Sequence, residues 1–383
     1  MKGRILFYLF LLTLGLACKQ KRTQNIPLEK TPSQIENITY AKGFTIENHD
    51  DIKIIKVRAP WPEAKKTFTY AVIPREKIST LTYPKDYFDA VVLTPINSLI
   101  VTSTTHIPAL EELNSLDKLI GFPQTNYISS KKARTFINNG QIQELGQNER
   151  LNTEITLSLK PEIIVGFAID NSNSPYETFQ NAGIPVVFNG DWVEQTPLGK
   201  AEWIKFFGAL LDKEKEADSI FKNIETNYKA VKDLAKKGKK TPSVISGALY
   251  KDVWYAPAGD SWAAQFFNDA NANYMYADTK GTGSLSLSIE NVLAKGATAN
   301  YWIGTAQFES YDQMNNSNTH YSKFEAFKNK KLYSFANTTG ETGGILYYEL
   351  GPQRPDLVLK DLVKILHPQV LPNYSPYFFT PLQ

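Results

Sequence analysis

At 383 residues the chain is long enough for two domains with sizeable cores, and 42% hydrophobic with 21% charged residues is ordinary for a soluble globular protein. A formal net charge of +3 drops to +1 once Lys2 and Arg4 go with residues 1–17, and so near-neutral a balance argues against nucleic acid as a partner. The 12% aromatic content, mostly Tyr and Phe, suits large cores or a ring-lined cleft.

The N-terminus carries two cations, Lys2 and Arg4, ahead of an apolar run from Ile5 to Ala17. A basic start, a short apolar core and a small residue before the stop describe an export signal, too short for a typical membrane span. Cys18, the only cysteine, closes that run. A lone cysteine there resembles the lipobox of bacterial lipoproteins, where the thiol is lipidated and becomes the new N-terminus; Gly15 stands where that motif has Leu. The alternative is an ordinary secretory signal with an incidental cysteine. No disulfide can form within a monomer, so an extracytoplasmic fold must rely on its core. We expect a signal peptide over 1–17 and a lipid anchor with a polar tether over 18–36, the latter carrying Lys19–Gln24, Pro27 and Pro32.

Residues 37–87 read as a β-rich extension. Asp51–Val57 and Thr67–Ile73 are extended runs separated by a loop with Pro60 and Pro62, consistent with a hairpin. From Phe88 strands and helices alternate. Leu99–Thr102 is a strand, and Thr105 is a candidate cap for a helix through Pro108 to Leu116. Strand Leu119–Phe122 follows, then strand Ile163–Phe167, a helix Pro175–Ala182 closed by Gly183, and strand Pro185–Phe188. This alternation predicts a parallel sheet flanked by helices over 88–196. Residues 197–237 keep helical spacing and read as two helices meeting near Asp212, the second spanning roughly 213–236. The basic run Lys236–Lys240 reads as a solvated helix end that favours the C-terminal dipole. A second α/β pattern over 238–383 contains strand Ser243–Gly247, helix Trp262–Phe267, strand Leu332–Phe335 and a last helix from Asp356 to Leu366. One long helix therefore joins two lobes, which predicts a stiff pair.

The same αβ unit occurs twice. Asn152–Pro161 leads into strand Ile163–Phe167, and Ser288–Gly296 leads into Ala299–Gly304; each places a glutamate, Glu154 or Glu290, at the start of a short helix broken at Pro or Gly. Carboxylates at matching points of two lobes suit a partner that touches both; the plainer reading is that acids favour helix N-termini.

No catalytic constellation stands out. His49, His106, His320 and His367 are scattered without ligand spacing, and with thiolate absent a bare metal is weakly supported. His106 follows a strand, where it faces a cleft or sits as a satisfied loop residue. Gly281–Gly283 and Gly340–Gly344 lack the Lys-Ser/Thr ending of a phosphate loop. Rings do recur where strands end: Tyr127 (with Gln124 and Asn126), Trp192, Tyr250, Trp254, Tyr255, Phe308 and Tyr347–Tyr348. Ligands of open α/β lobes sit beyond the carboxyl ends of strands, and rings with a polar edge suit a large, flat or partly apolar ligand. Core packing accounts for about half of these rings.

From Phe88 to His367 the chain resembles the substrate-binding proteins of bacterial ABC importers for vitamin B12, haem and iron–siderophore complexes. Three segments carry the resemblance: Leu99–Gly121 with Ser103-Thr104-Thr105, Leu159-Lys160-Pro161-Glu162-Ile163-Ile164, and Tyr347–Asp356 opening the final helix. It implies two α/β lobes joined by a rigid helix, with the ligand between them and no chemistry performed. By the family's pattern Glu154 and Glu290 match the two glutamates that contact arginines on the permease subunits. Tyr127, Tyr250 and Trp254 lie near its ligand-contact positions, and with Trp192, Tyr255, Tyr347 and Arg354 form the expected ligand set. The position of one B12-stacking tryptophan falls near Ser284. The reading is a monomeric, lipid-anchored binding protein, with no cofactor of its own, that faces the periplasm and carries a metal chelate to an ABC permease. The rivals are an extracytoplasmic hydrolase on the same frame and direct binding of a bare divalent metal ion.

Overall fold

The computed structural model describes residues 24–25 and 34–383, apart from 51, 84, 85, 149 and 171–173. Cys18 and the expected signal peptide lie outside the described residues. Three sheets form the frame. The N-terminal sheet orders strands Gln34–Ile35, Phe44–His49, Ile52–Arg58, Thr67–Pro74 and Ala90–Thr94. The expected hairpin is its centre, with Ile54 opposite Ala71 and Ile55 opposite Tyr70 in antiparallel register. Its far strand, Ala90–Thr94, pairs in parallel with Thr67–Pro74, so this sheet continues past the expected boundary at residue 88. Alternation explains the arrangement: Ile55, Val57, Tyr70 and Val72 join the main core, while Ile52, Ile54, Ala71 and Ile73 form a separate cluster on the other face.

The first lobe holds a five-stranded sheet in the order Gln143–Glu144, Leu119–Phe122, Leu99–Val101, Ile163–Gly166, Val186–Phe188, all parallel. Its central strands are apolar throughout, as burial on both faces requires. The second lobe repeats the plan with Asn273–Tyr274, Ser243–Ile245, Tyr301–Ile303 and Leu332–Ser334 in parallel and Thr380–Pro381 antiparallel at the edge. A three-stranded antiparallel sheet, Ala248–Tyr250, Val253–Pro257 and Ser284–Leu287, sits beside it.

The connection consists of helices Pro197–Glu202, Ile204–Leu211 and Glu214–Ala235. Asp212 marks the junction as expected, as a left-handed C-terminal cap (φ 56°), with its carboxylate 2.7 Å from Lys53 Nζ. The 22-residue helix buries Phe221, Ile224, Tyr228 and Val231 on one stripe and packs along Pro355–Leu366. Thr105 differs from expectation: its hydroxyl contacts Ser103 Oγ at 2.9 Å and caps nothing, and the helix is shorter, His106–Glu112. The doubled units are capped by side chains at Asn152 and Ser288, which accept from Ile155 N–H and Asn291 N–H. The second helix ends at its glycine, as expected. It runs from Ile289 through Gly296, where a Cβ would come within 2.7 Å of Ile245 Cγ2, so glycine there permits close helix–strand approach. Among the described residues no helix is long and apolar enough to cross a membrane.

Candidate ligand site

A cavity of about 820 Å³ opens between the lobes, within the range of small-molecule sites. The first lobe supplies Trp192 to Thr196, just beyond the carboxyl end of strand Val186–Phe188. The second supplies Pro257, Ser261–Ala263 and Thr282–Ser284. The third wall is the N-terminal extension, through Tyr40, Lys42 and the loop 58–63.

Two buried carboxylates lock that third wall in place. Glu202, fully buried, accepts the backbone N–H groups of Thr39, Tyr40 and Ala41 at 2.9, 2.6 and 2.9 Å. Glu194 accepts those of Lys42 and Gly43, both at 2.8 Å, and the Trp203 indole N–H at 3.1 Å. Five successive donors of the strap 39–43 are thus satisfied by side chains of the interlobe segment, as buried backbone groups must be. Tyr40 Oη donates to Glu225 on the connecting helix at 2.5 Å; burial, then this hydrogen bond, raises its pKa. The loop 58–63 is anchored by Trp61, whose ring meets Phe188 edge-on at 5.1 Å and Phe68 at 5.5 Å. Its neighbour Pro60 lies against Gly190, where a Cβ would approach Pro60 Cα to 2.9 Å.

Lys200 lies behind the cavity wall, outside its lining. Its Nζ donates to the Asp191 and Trp192 carbonyls at 3.1 and 2.8 Å and lies 5.2 Å from the centre of the Trp262 ring. Burial lowers its pKa to about 8, partly offset by the charges of Asp191 and Glu194. His106, expected at the cleft or in a loop, is instead wholly buried 5.5 Å from the Phe207 ring, and burial lowers its pKa to about 4. Among the described residues no group of three or more His, Cys, Asp or Glu side chains is placed to hold a metal ion.

Of the expected ligand residues, the cavity takes Trp192, its Nε1–H donating to the Ala168 carbonyl at 3.2 Å. Tyr347 is buried one layer behind it, stacked on Phe335 at 4.5 Å and on Trp262 at 5.9 Å. Trp254 is a correction: it is 0% exposed, packed on Trp302, Tyr321 and Phe324, with its indole N–H bonded to the Ser246 carbonyl. Its neighbour Tyr255 points to the opposite face of the strand and is exposed, as is Tyr250 at 66%; neither lines the cavity. Arg354 is another correction, since its guanidinium is spent on Asp356 through two 2.9 Å hydrogen bonds. Tyr127, 58% exposed, also lies off the cavity, beside a different interlobe contact. Missed by the sequence reading were Tyr40, Lys42, Arg58, Trp61 and Trp262; the one signal available was Trp61 between two prolines in an otherwise β-rich stretch. Ser284, near which the position of a B12-stacking tryptophan is expected to fall, does line the cavity.

The lobes also meet where the cavity is absent. Glu349, buried, accepts from Ser129 N–H at 2.5 Å and Ser130 N–H at 2.8 Å, and Ser129 Oγ donates to the Gly344 carbonyl at 2.8 Å. Burial, aided by nearby Glu111, raises the Glu349 pKa to about 7 against the pull of the two N–H donors. Glu154 and Glu290 are both exposed, each in the first turn of its helix. A crossover helix runs opposite to the parallel strands it joins, so each glutamate sits at the sheet edge where strands end. Glu290 is held below the usual carboxylate range by its own backbone N–H and the Ser288 hydroxyl.

Two α/β lobes, a long helix between them and an interlobe cavity beyond the strand ends define the class of two-lobed solute-binding proteins. The chain belongs to the periplasmic binding protein family, whose sequence model matches residues 99–338. An uncharacterized lipoprotein of Methanocaldococcus jannaschii is 26% identical over 298 residues, covering 76% of this chain and 69% of that one. Among solved structures, a possible iron-binding (periplasmic solute-binding) protein from Staphylococcus epidermidis superposes with a TM-score of 0.55 at 19% identity, over 71% of this chain and 99% of that one. A periplasmic heme binding protein from Pseudomonas aeruginosa gives 0.55 at 15% identity, over 75% and 98%. The two-lobed fold and the substrate-binding role read from the sequence follow from these matches.

Proposed function

We propose that this protein captures a metal chelate (an iron–siderophore complex, haem or cobalamin) outside the cytoplasmic membrane and delivers it to the permease of an ABC importer. The observation that carries the reading is the interlobe cavity: its rings offer flat apolar faces, and its size suits a ligand larger than a bare ion. Affinity comes from burying ligand surface between pre-formed walls, which limits the ordering cost of binding. Titration with haem, cobalamin and a panel of ferric siderophores should quench tryptophan fluorescence, through Trp192 and Trp262, and raise the melting temperature. If no member of the panel moves either signal, the reading fails.

Anchoring is part of the proposal. The expected lipid on Cys18 holds the protein at a membrane, since several acyl chains anchor stably at ~0.8 kcal/mol per buried methylene. Cys18→Ser should release the folded protein into the soluble fraction; unchanged membrane association of the variant would show that Cys18 is not the anchor.

A further inference from the structure

The residues outside the family match build one wall of the cavity, and that wall carries the unpaired charge. Arg58 ends the strand Ile52–Arg58, lines the cavity and is exposed, and among the described residues its guanidinium has no ion pair or hydrogen bond. Lys42, on the strap, is exposed on the same cavity, and among the described residues its Nζ reaches a single acceptor, the Thr39 carbonyl, at 3.5 Å. Two acids also line the site. Glu194 is already matched by three N–H donors, and Glu63 is exposed at the end of the loop. Lys200 lies behind the Trp262 ring and does not line the cavity.

The loop between strands Ile52–Arg58 and Thr67–Pro74 is fixed in advance. Ala59 and Glu63, neither of them glycine, hold φ of 44° and 64°, a conformation that costs free energy and persists only where the surroundings impose it. Trp61 in the core and Pro60 against Gly190 supply that imposition. A cation on a rigid lip with no protein partner has its desolvation and ordering cost reduced when a ligand anion arrives.

We propose that the N-terminal extension is the selectivity element of the cavity: Arg58 and Lys42 take an anionic edge of the ligand, such as carboxylates, while Trp192 and Trp262 pack on its apolar face. This rests on the chelate-binding reading above and deepens it. The lobes provide Trp192 and Trp262; the extension adds Tyr40 and Trp61 and decides which charge may enter. A planar guanidinium favours a carboxylate with two parallel oxygens, which makes Arg58 the stronger of the two contacts.

Matched probes test it. Hemin and hemin dimethyl ester share a ring but differ in their carboxylates; ferric citrate and the ferric complex of desferrioxamine contrast an anionic chelate with a hydroxamate. The wild-type protein should bind the carboxylate-bearing member of at least one pair more tightly, with affinity that weakens as salt rises. The Lys42→Ala, Arg58→Ala double variant should lose about tenfold or more on that member, flatten the salt dependence, and leave the carboxylate-free member and the melting temperature near wild type. Glu63→Gln should move the anionic probe the other way. An equal loss on both members, or none on either, overturns the proposal. Wild-type preference for the carboxylate-free members, or silence towards all four probes, overturns it while leaving the chelate-binding reading intact; silence that extends to cobalamin and the rest of the siderophore panel defeats both.

Discussion

The two interlobe contacts of this molecule are built from the same chemistry and do opposite things. On one flank Glu349 of the second lobe accepts two N–H groups of the first, the Gly344 carbonyl takes the Ser129 hydroxyl, and the lobes touch. On the other, Glu202 and Glu194 spend themselves on five N–H groups of the N-terminal strap, and a cavity of about 820 Å³ is left between the lobes. A buried carboxylate accepting backbone donors is strong and directional, because leaving either side unmatched costs more than the bond itself yields. Used across the lobes it fixes their separation; used on the strap it frees the facing surfaces for a ligand. The lesson is that the open flank stays open because its polar groups are satisfied from a segment that neither lobe supplies.

The strap flank should be the more costly to break. Glu202→Ala leaves three backbone donors without their acceptor, while Lys205, 3.3 Å away, keeps Asp218 and the Asn37 carbonyl. The expected loss is about 3 kcal/mol or more in urea unfolding, with new protease sensitivity near residues 39–43. If unfolding is unchanged and the strap stays protected, the clamp does not hold it.

Glu349 on the sealed flank gives a pH signature. Its folded pKa of about 7 lies above the ordinary 4.5, so the folded protein binds the extra proton between these values. Its contribution is therefore fully present below pH 4.5 and lost as pH rises through 7, a change of roughly 3 kcal/mol at most. Glu349→Gln keeps an acceptor without the titration and should flatten the pH dependence of stability over that window. Identical slopes for variant and wild type would show that the carboxyl does not titrate there. His106 works against this trend, since burial lowers its pKa to about 4 and its contribution is lost as pH falls from 6.5 towards that value. The difference between Glu349→Gln and wild type isolates the carboxyl.

How far the sequence reaches follows from these residues. Strand and helix order was legible because it is local: the apolar runs Ile163–Gly166 and Val186–Phe188 and the stripe Phe221–Ile224–Tyr228–Val231 show their periods directly. The cavity wall was not, because it depends on which side of a strand faces what. Trp254 and Tyr255 are adjacent on one strand and so cannot share a face, and Trp254 went to a cluster with Trp302 and Phe324 that no local pattern announces. Arg354 was open to a ligand role until its partner two residues away was visible. The extension escaped for another reason: its contacts to Glu194 and Glu202 span more than 150 residues.

The smallest effect on folding belongs to the outer pair, Glu154 and Glu290, which serves neither flank. Both carboxylates are exposed in first turns whose caps are Asn152 and Ser288, so the helices keep their principal stabilising contact when either acid is changed. We propose that the two acids dock the permease. Exposed carboxylate–arginine contacts are individually weak, but two of them on lobes held at fixed separation engage together and set orientation. Glu154→Ala, Glu290→Ala and the double variant should therefore keep the melting temperature and ligand affinity near wild type while cellular uptake falls, furthest in the double variant. A role confined to the helix dipole predicts the reverse, a slightly lower melting temperature with uptake unchanged. The sealed flank sharpens the comparison: in Glu349→Ala the separation of the lobes is less fixed, so uptake should fall with both docking glutamates present. Normal uptake in that variant would mean that the two acids act independently of the rigid spacing.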